Sequence, residues 1–336
     1  MTETSGSTPV LLLPRSAIPA LLTLDECREA VERAFRLLGE GKVPPPETLG
    51  VHVEEGGFHV KAGAAILEQP WFVAKINANF PANPARSGLP TIQGLAVLFD
   101  AGDGRPLAVL DSSELTCVRT AAATAVAAKV LARPAAEVAT IVGCGRQAAA
   151  QLRALLRVLP LRRVQALDAL PGRAEAFARA MAAELGIEVS PGRDLAAALA
   201  QSDVLVTCTP ARAAFVRKRD VRPGTFVAAV GADSEGKHEI EEELMASASV
   251  FVDLLPQAAR IGDLQHALAR GTMTREDVRA ELGAVVAGRA PGRVAPDEIT
   301  IFDSTGIALQ DLVTAVALVE GARRAGEGVA RFDFSA

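Results

Sequence analysis

The chain has 336 residues, 49% of them apolar, with 35 Lys and Arg against 40 Asp and Glu and a formal net charge of −5. That length accommodates two domains of ordinary size, and that apolar share supplies a large core. The acidic balance argues against nucleic-acid binding, because the one basic group, Arg153, Arg157, Arg162 and Arg163, reads as a solvated helix end.

Residues 1–9 are small and polar and read as a disordered tail. Val10 to Leu24 is apolar but broken by Pro14, Arg15 and Pro19, and Glu3 stands where a signal peptide would be basic, so no targeting segment is read and cytoplasm is the default. Thr23-Leu24-Asp25-Glu26 is a capping box that opens a helix, and Val31, Ala34, Phe35 and Leu38 mark its apolar face. From Leu49 to Val109, short alternating runs at 50–53, 58–61, 71–76 and 94–100, punctuated by Gly-Gly, Asn-Pro and Asp-Gly, predict a mostly antiparallel sheet. Glu114 to Leu131 is an Ala-rich helix; its most apolar part, around 120–132, carries Lys129 and is too short to span a bilayer. Four scattered cysteines (Cys27, Cys117, Cys144, Cys208) lack metal-ligand spacing and read as reduced thiols, and no metal is expected.

Strict strand–helix alternation follows, with strands near 138–142, 164–167, 187–190, 203–207, 225–230, 249–253 and 298–302. That is the pattern of a doubly wound parallel sheet. The last helix, about 309–324, lies past the final strand and is placed to return over the first sheet.

The first of those strands runs into Gly143-Cys144-Gly145-Arg146-Gln147-Ala148. In such a turn the first glycine permits a tight bend and the second lets the backbone approach a pyrophosphate. The small third residue, Ala148, packs helix on strand, and the helix N-terminus faces the negative charge. Asp168 ends the next strand, 25 residues past Gly143, near the roughly 20 expected for a carboxylate on the adenosine ribose. The turn therefore predicts a bound dinucleotide. Asp168 favours NAD, while Arg173 nearby leaves NADP open.

Several residues have two readings on sequence alone. Lys75 ends a strand rich in Trp, Phe and Val, either snorkelling at an edge or buried against a cleft, and the residues alone favour the surface. Arg119 is either an exposed helix charge or, among Val118, Thr120, Ala121 and Ala122, a buried guanidinium that needs an anion such as a carboxylate. His59 and Lys61 share one face of a strand, for which solvent is the usual side; if that face is the cleft, Lys61 makes a second carboxylate contact. Asp233 follows an apolar strand and Gly231, where open α/β sheets place ligands.

The chain resembles the ornithine cyclodeaminase/μ-crystallin family over about 10–325. The resemblance is carried by Phe72-Val73-Ala74-Lys75-Ile76-Asn77, Leu115-Thr116-Cys117-Val118-Arg119-Thr120-Ala121-Ala122, the glycine turn, Val230-Gly231-Ala232-Asp233-Ser234-Glu235-Gly236-Lys237-His238-Glu239 and Ile301-Phe302-Asp303-Ser304-Thr305-Gly306. It implies a Rossmann-type doubly wound parallel sheet over 121–304, and a split α+β substrate-binding and dimerisation domain over 10–120 and 305–336. A homodimer is implied as well. It matches Lys75 to the family's active-site lysine, Arg119 to its carboxylate-binding arginine and Asp233 to its catalytic aspartate. Thr120 is implied at a cofactor phosphate, and Thr207 and Thr209 under the nicotinamide side. Ser304 and Gly306 are implied to bound the nicotinamide from the opposite domain, with Asp303 a structural cap. In cyclodeaminase-like members an arginine stands near Glu47 and Thr48, a Glu at His59, and a Met-Pro-Ala-like stretch at Val60-Lys61-Ala62. The ornithine pocket is thus altered, with Lys61 able to supply the missing charge.

The expected function is an NAD(P)-dependent oxidoreductase that reduces an α-imino acid, or a keto acid plus ammonia or amine, to an L-amino acid. The alternatives are a lyase converting ornithine to proline plus ammonia with tightly bound NAD, and a non-enzymatic binder. The partners expected are a small amino or imino acid and a second copy of the chain, with neither nucleic acid nor membrane.

Overall fold

The computed structural model describes residues 9–326 and 329–334. The tail expected over 1–9 therefore lies outside the described residues, Pro9 excepted. The chain divides into two compact units. One comprises the described residues up to Ala34, Gly41–Arg119 and the described residues from Ile307; the other comprises Phe35–Glu40 and Thr120–Gly306.

The chain opens with β1 (Val10–Leu13), α1 (Ile18–Leu21), α2 (Leu24–Gly39), β2 (Glu47–Val53), β3 (Gly56–Ile66), β4 (Pro70–Asn79), α3 (Asn83–Arg86), β5 (Ile92–Asp100), β6 (Pro106–Asp111) and α4 (Ser112–Leu131). There follow β7 (Val138–Val142), α5 (Arg146–Leu155), β8 (Arg163–Leu167), α6 (Arg173–Leu185), β9 (Glu188–Pro191), α7 (Leu195–Leu199), β10 (Val204–Thr207), β11 (Arg212–Val216), β12 (Phe226–Ala229) and β13 (His238–Ile240). The remainder is α8 (Glu242–Ser247), β14 (Ser249–Val252), α9 (Leu255–Ile261), α10 (Leu264–Arg270), β15 (Ala280–Glu281), α11 (Leu282–Val286), β16 (Thr300–Asp303), α12 (Ala308–Ala325) and β17 (Ala330–Phe332).

The first unit is built on a seven-stranded sheet in the order β17-β1-β6-β5-β4-β3-β2. Its neighbours are antiparallel except β1 and β6. Side chains alternate between its faces, so register decides which residues are enclosed. Lys61 pairs with Lys75, and Lys75 with Ala96. That row shares a face with Gly63, whose added Cβ would lie 3.3 Å from Ala308, so this is the face α12 covers. Leu49, Val60, Ile76 and Leu95 form the neighbouring row on the opposite face. There Leu49, Ile76 and Leu95 are exposed by 60%, 48% and 55%, an apolar surface left uncovered among the described residues. The helix over 24–39 opens with the anticipated capping box: Glu26 N donates to Thr23 Oγ1 and Thr23 N to Glu26 Oε2.

The second unit holds an eight-stranded sheet in the order β15-β14-β16-β12-β10-β7-β8-β9. Every pairing in it is parallel. Strands β10, β12 and β16 are buried at every residue, as expected of a sheet covered on both faces. Strand order reverses between β7 and β10, the switch point where open α/β sheets bind ligands. This is the Rossmann-type sheet that the alternation predicts. Sequence periodicity does not reveal β1, β6 and β17, which are short and depend on distant partners. It also misses the two-stranded parallel sheet of β11 and β13. Arg153 of the basic group is paired with Glu184 through two bonds of 2.6 and 2.7 Å. No helix among the described residues is long and apolar enough to cross a membrane.

Candidate active site

Two constellations stand out, one in each unit. In the first, the inner face of the sheet carries Lys61 and Lys75, 6% and 2% exposed, and α4 adds Arg119 at 4%. The surface readings of Lys75 and Lys61 that the residues alone favoured are thereby corrected. Strand register places both on the covered face, and burial of a cation requires an anion. That anion is Asp311, in the first turn of α12, which pattern reading did not single out. Lys75 Nζ lies 2.8 Å from each Asp311 carboxylate oxygen and donates to Thr116 Oγ1 at 3.2 Å. Arg119 donates from Nε to Asp311 Oδ1 at 2.9 Å and from Nη1 to Gln310 Oε1 at 2.9 Å. The arginine's anion is thus supplied from within the unit.

The electrostatics follow from enclosure. Burial pushes the Lys75 ammonium down from 10.5 to about 7; the Asp311 charge opposes this, and Arg119 and Lys61 reinforce it. Burial also acts to raise Asp311, but the Lys75 and Arg119 charges outweigh it and hold the carboxyl below its ordinary value. Asp311 stands in the first turn of α12, where the helix dipole favours a carboxylate, but nothing in the local pattern sets it apart from other first-turn acids.

In the second unit the glycine turn sits at the switch point. Gly143 adopts φ +94°, and a Cβ there would lie 2.8 Å from the Cys208 carbonyl oxygen, so both conformation and space require glycine. A Cβ on Gly145 would meet nothing within 4 Å, which leaves an open approach at the N-terminus of α5. Ala148 is fully buried against the sheet, while Gly145 and Arg146 are exposed and Gln147 is half-buried. A cleft of about 960 Å³ is lined by Gly143, Gly145, Asp168, Arg173, Arg193 and Thr209, among others. Asp168 accepts from Cys144 N and from Leu170 N, both at 2.8 Å, so it also ties the turn after β7 to the turn after β8. These features fit a dinucleotide: a backbone cradle, a helix N-terminus for the pyrophosphate and a carboxylate at the end of the second strand.

The ends of β10 and β12 are joined by Glu239, fully buried, which sequence reading passed over as part of a motif. It accepts from Thr207 Oγ1 at 2.7 Å, Thr209 N at 2.8 Å, Thr209 Oγ1 at 2.7 Å and Gly231 N at 2.8 Å. Thr207 has no exposed surface, and its hydroxyl donates to Glu239 at the end of β10. Asp263 in turn accepts from Glu239 N and Ile240 N at 2.7 and 3.0 Å. Asp303 accepts from Asp263 N and Leu264 N at 3.1 and 2.9 Å, at the start of α10. Burial, together with the Asp303 and Glu239 charges, pushes the Asp263 carboxyl well up. Burial and the Asp253 charge push Asp303 up to about 7 against two backbone bonds.

Asp233 is exposed beyond β12, with Lys237 Nζ 2.5 Å from its Oδ1. Thr120 is buried in α4. Ser304 is buried, its hydroxyl without a partner among the described residues, and Gly306 N donates to Asp253 Oδ2 at 2.5 Å. Both belong to the same unit as the glycine turn, not to the opposite one as expected.

A seven-stranded sheet carrying buried cations and a Rossmann-type sheet carrying a dinucleotide cradle define a nucleotide-dependent oxidoreductase. Residues 10–326 match the family model of the ornithine cyclodeaminase/mu-crystallin family. An alanine dehydrogenase from Archaeoglobus fulgidus is 39% identical over 314 residues, 93% of this chain and 95% of that protein. Among solved structures, an archaeal alanine dehydrogenase dimer with bound NAD superposes with a TM-score of 0.92 at 37% identity, covering 97% of this chain and 100% of that one. The Δ1-pyrroline-2-carboxylate reductase of Thermococcus litoralis, in complex with NADH and L-proline, superposes with a TM-score of 0.90 at 32% identity, covering 95% and 99%. The chain belongs to the ornithine cyclodeaminase/mu-crystallin family, and it is an enzyme of the NAD(P)-dependent dehydrogenase and reductase kind.

Proposed function

We propose that the protein reduces an α-imino acid, formed from a keto acid and ammonia or an amine or supplied as a cyclic imine, to an L-amino acid with NADH. The observation that carries this reading is the burial of Lys61, Lys75 and Arg119 in one unit, with Lys75 and Arg119 on the Asp311 carboxylate, in a chain whose other unit holds a dinucleotide cradle. Arg119, through its outer edge, and Lys75 hold the substrate carboxylate, with Lys61 as a further contact. Gly143, Gly145, Arg146, Gln147 and the first turn of α5, with Ala148 packed behind them, hold the pyrophosphate. Asp168 holds the adenosine ribose, with Arg173 beside it; Thr120 and Thr209 lie against the cofactor, and Gly231, Ser304 and Gly306 bound the nicotinamide. The cofactor, when bound, supplies a hydride from nicotinamide C4 to the imine carbon. Asp233 delivers the proton that the substrate nitrogen takes up, with Lys237 fixing its orientation. Fixing the imine by its carboxylate removes orientational entropy before the reaction.

In this reading the unit built on the seven-stranded sheet is the substrate-binding and dimerisation domain, and the parallel-sheet unit is the nucleotide domain. The exposed apolar row of Leu49, Ile76 and Leu95 supports a homodimer, because a second copy would remove it from water. Light scattering at working concentration checks this. A cytoplasmic location belongs to the same proposal and is supported by four cysteines that form no disulfide.

The test is oxidation of NADH and NADPH by the purified protein with a panel of keto acids plus ammonia or methylamine, and with pyrroline-2-carboxylate, beside an ammonia assay on ornithine. Stoichiometric oxidation with one substrate class supports the reductase. Ammonia released from ornithine without net change in the cofactor overturns it in favour of the lyase.

A further inference from the structure

Asp311 sits where two functions meet. It is fully buried in the first turn of α12, where the helix N-terminus favours its negative charge. The charged groups that face Lys75 are Asp311 from α12, Arg119 from α4 and Lys61 from β3; the neutral Thr116 hydroxyl is the remaining polar contact. Lys75 and Arg119 therefore share one anion in an enclosed space. Gln310, the preceding residue, takes a second nitrogen of Arg119, so two successive residues of one helix turn fix the guanidinium plane.

We propose that Asp311 is a positioning residue of the reaction: it keeps Lys75 in its charged form and holds the Arg119 fork so that its outer edge faces the substrate carboxylate. This rests on the reading of Lys75 and Arg119 as the carboxylate holders. Lys75, pushed by burial from 10.5 to about 7, retains a proton near neutrality because Asp311 opposes that push. Removing the Asp311 charge leaves Lys75 buried between two other cations, and it deprotonates. Conversely, a substrate carboxylate adds an anion beside Lys75 and raises its proton affinity. Binding above neutrality then takes up a proton.

The experiment compares wild type, Asp311→Asn and Asp311→Glu at saturating NADH, measuring kcat and KM for the reducible imino acid across pH. It also measures binding of pyrrole-2-carboxylate, an inert planar carboxylate. In wild type KM is flat at low pH and rises above about pH 7 as Lys75 loses its proton. In Asp311→Asn that rise moves to lower pH by at least about one unit, so KM near neutrality increases by about tenfold while kcat changes less. Asp311→Glu restores most of the wild-type profile. A loss of the same factor at every pH, with the profile unmoved, is what a merely structural aspartate would give, and it overturns the proposal.

Should Asp311→Asn fail to fold, calorimetry of wild type in two buffers of different ionisation heat decides alone. Proton uptake on pyrrole-2-carboxylate binding near about pH 8 supports the proposal, and its absence overturns it. Wild type that neither binds nor reduces any carboxylate compound sinks the functional reading together with this inference. A wild type that binds while Asp311→Asn keeps its pH profile sinks this inference alone.

Discussion

Each unit buries a cluster of charge, and the two clusters are neutralised in opposite ways. In the seven-stranded unit, Lys75 and Arg119 share the carboxylate of Asp311, and Gln310 takes a further guanidinium nitrogen. In the parallel-sheet unit, Glu239, Asp263 and Asp303 are answered mainly by backbone N–H groups and hydroxyls, with no cation among those bonds. Proton affinities part accordingly: Lys75 and Asp311 move down, while Glu239, Asp263 and Asp303 move up. In the proposed function the first cluster takes a further anion, the substrate carboxylate. A cluster whose acceptors are consumed by its own backbone ties strand ends together.

That contrast can be broken most directly at Arg119. Arg119→Ala should lower kcat/KM for the imino acid by about 10²–10³, with the NADH constant little changed, since a charged pair of hydrogen bonds is lost on the substrate side alone. Steady-state kinetics with each substrate varied in turn would reveal an equal loss on the cofactor side, which would sink the division of roles. Glu239→Gln tests the other cluster. Four donors now face a group with half the acceptors, so unfolding in urea should show a loss of about 2–3 kcal/mol while the imino-acid KM stays within about twofold.

Stability against pH sharpens the same contrast. Folded Lys75 releases its proton near 7 and the unfolded lysine near 10.5, so the unfolded chain holds the extra proton between those values and stability rises with pH there. Asp303 runs the other way. Its folded carboxyl keeps the proton from 3.8 up to about 7, and stability falls across that window. Urea midpoints for Lys75→Met should lose the alkaline rise, and those for Asp303→Asn the acidic fall. The smallest effect is expected at Asp168, where Asp168→Ser should shift the ratio of NADPH to NADH use upward by about tenfold or less. An unmoved ratio would remove Asp168 from the ribose.

The parallel sheet was legible because its strands are continuous apolar runs separated by helices, and because Gly143 and Gly145 fall at a strand–helix junction. The antiparallel strands were legible where alternation is clean, as in β3 and β4. The placement of Lys61 and Lys75 was not, since alternation tells which residues share a face but not which face α12 covers. Asp311 and Glu239 escaped for a related reason. Each acts through partners far along the chain or in another loop, and a lone acidic residue in a helix turn or after a short strand has no local pattern that sets it apart. The Thr207 hydroxyl bond to Glu239 was likewise illegible, because a threonine at a strand end points either to a ligand or to a buried acceptor with equal local economy.

Asp311 lies 236 residues beyond Lys75. At about 5–20 residues per second, synthesis separates them by tens of seconds. Until α12 is made, Lys61 and Lys75 on the sheet and Arg119 on α4 lack the aspartate that neutralises and the helix that covers them. The parallel-sheet unit, whose main segment ends at Gly306, is complete before α12 emerges. The covered face of the first sheet is therefore completed only once α12 has been made.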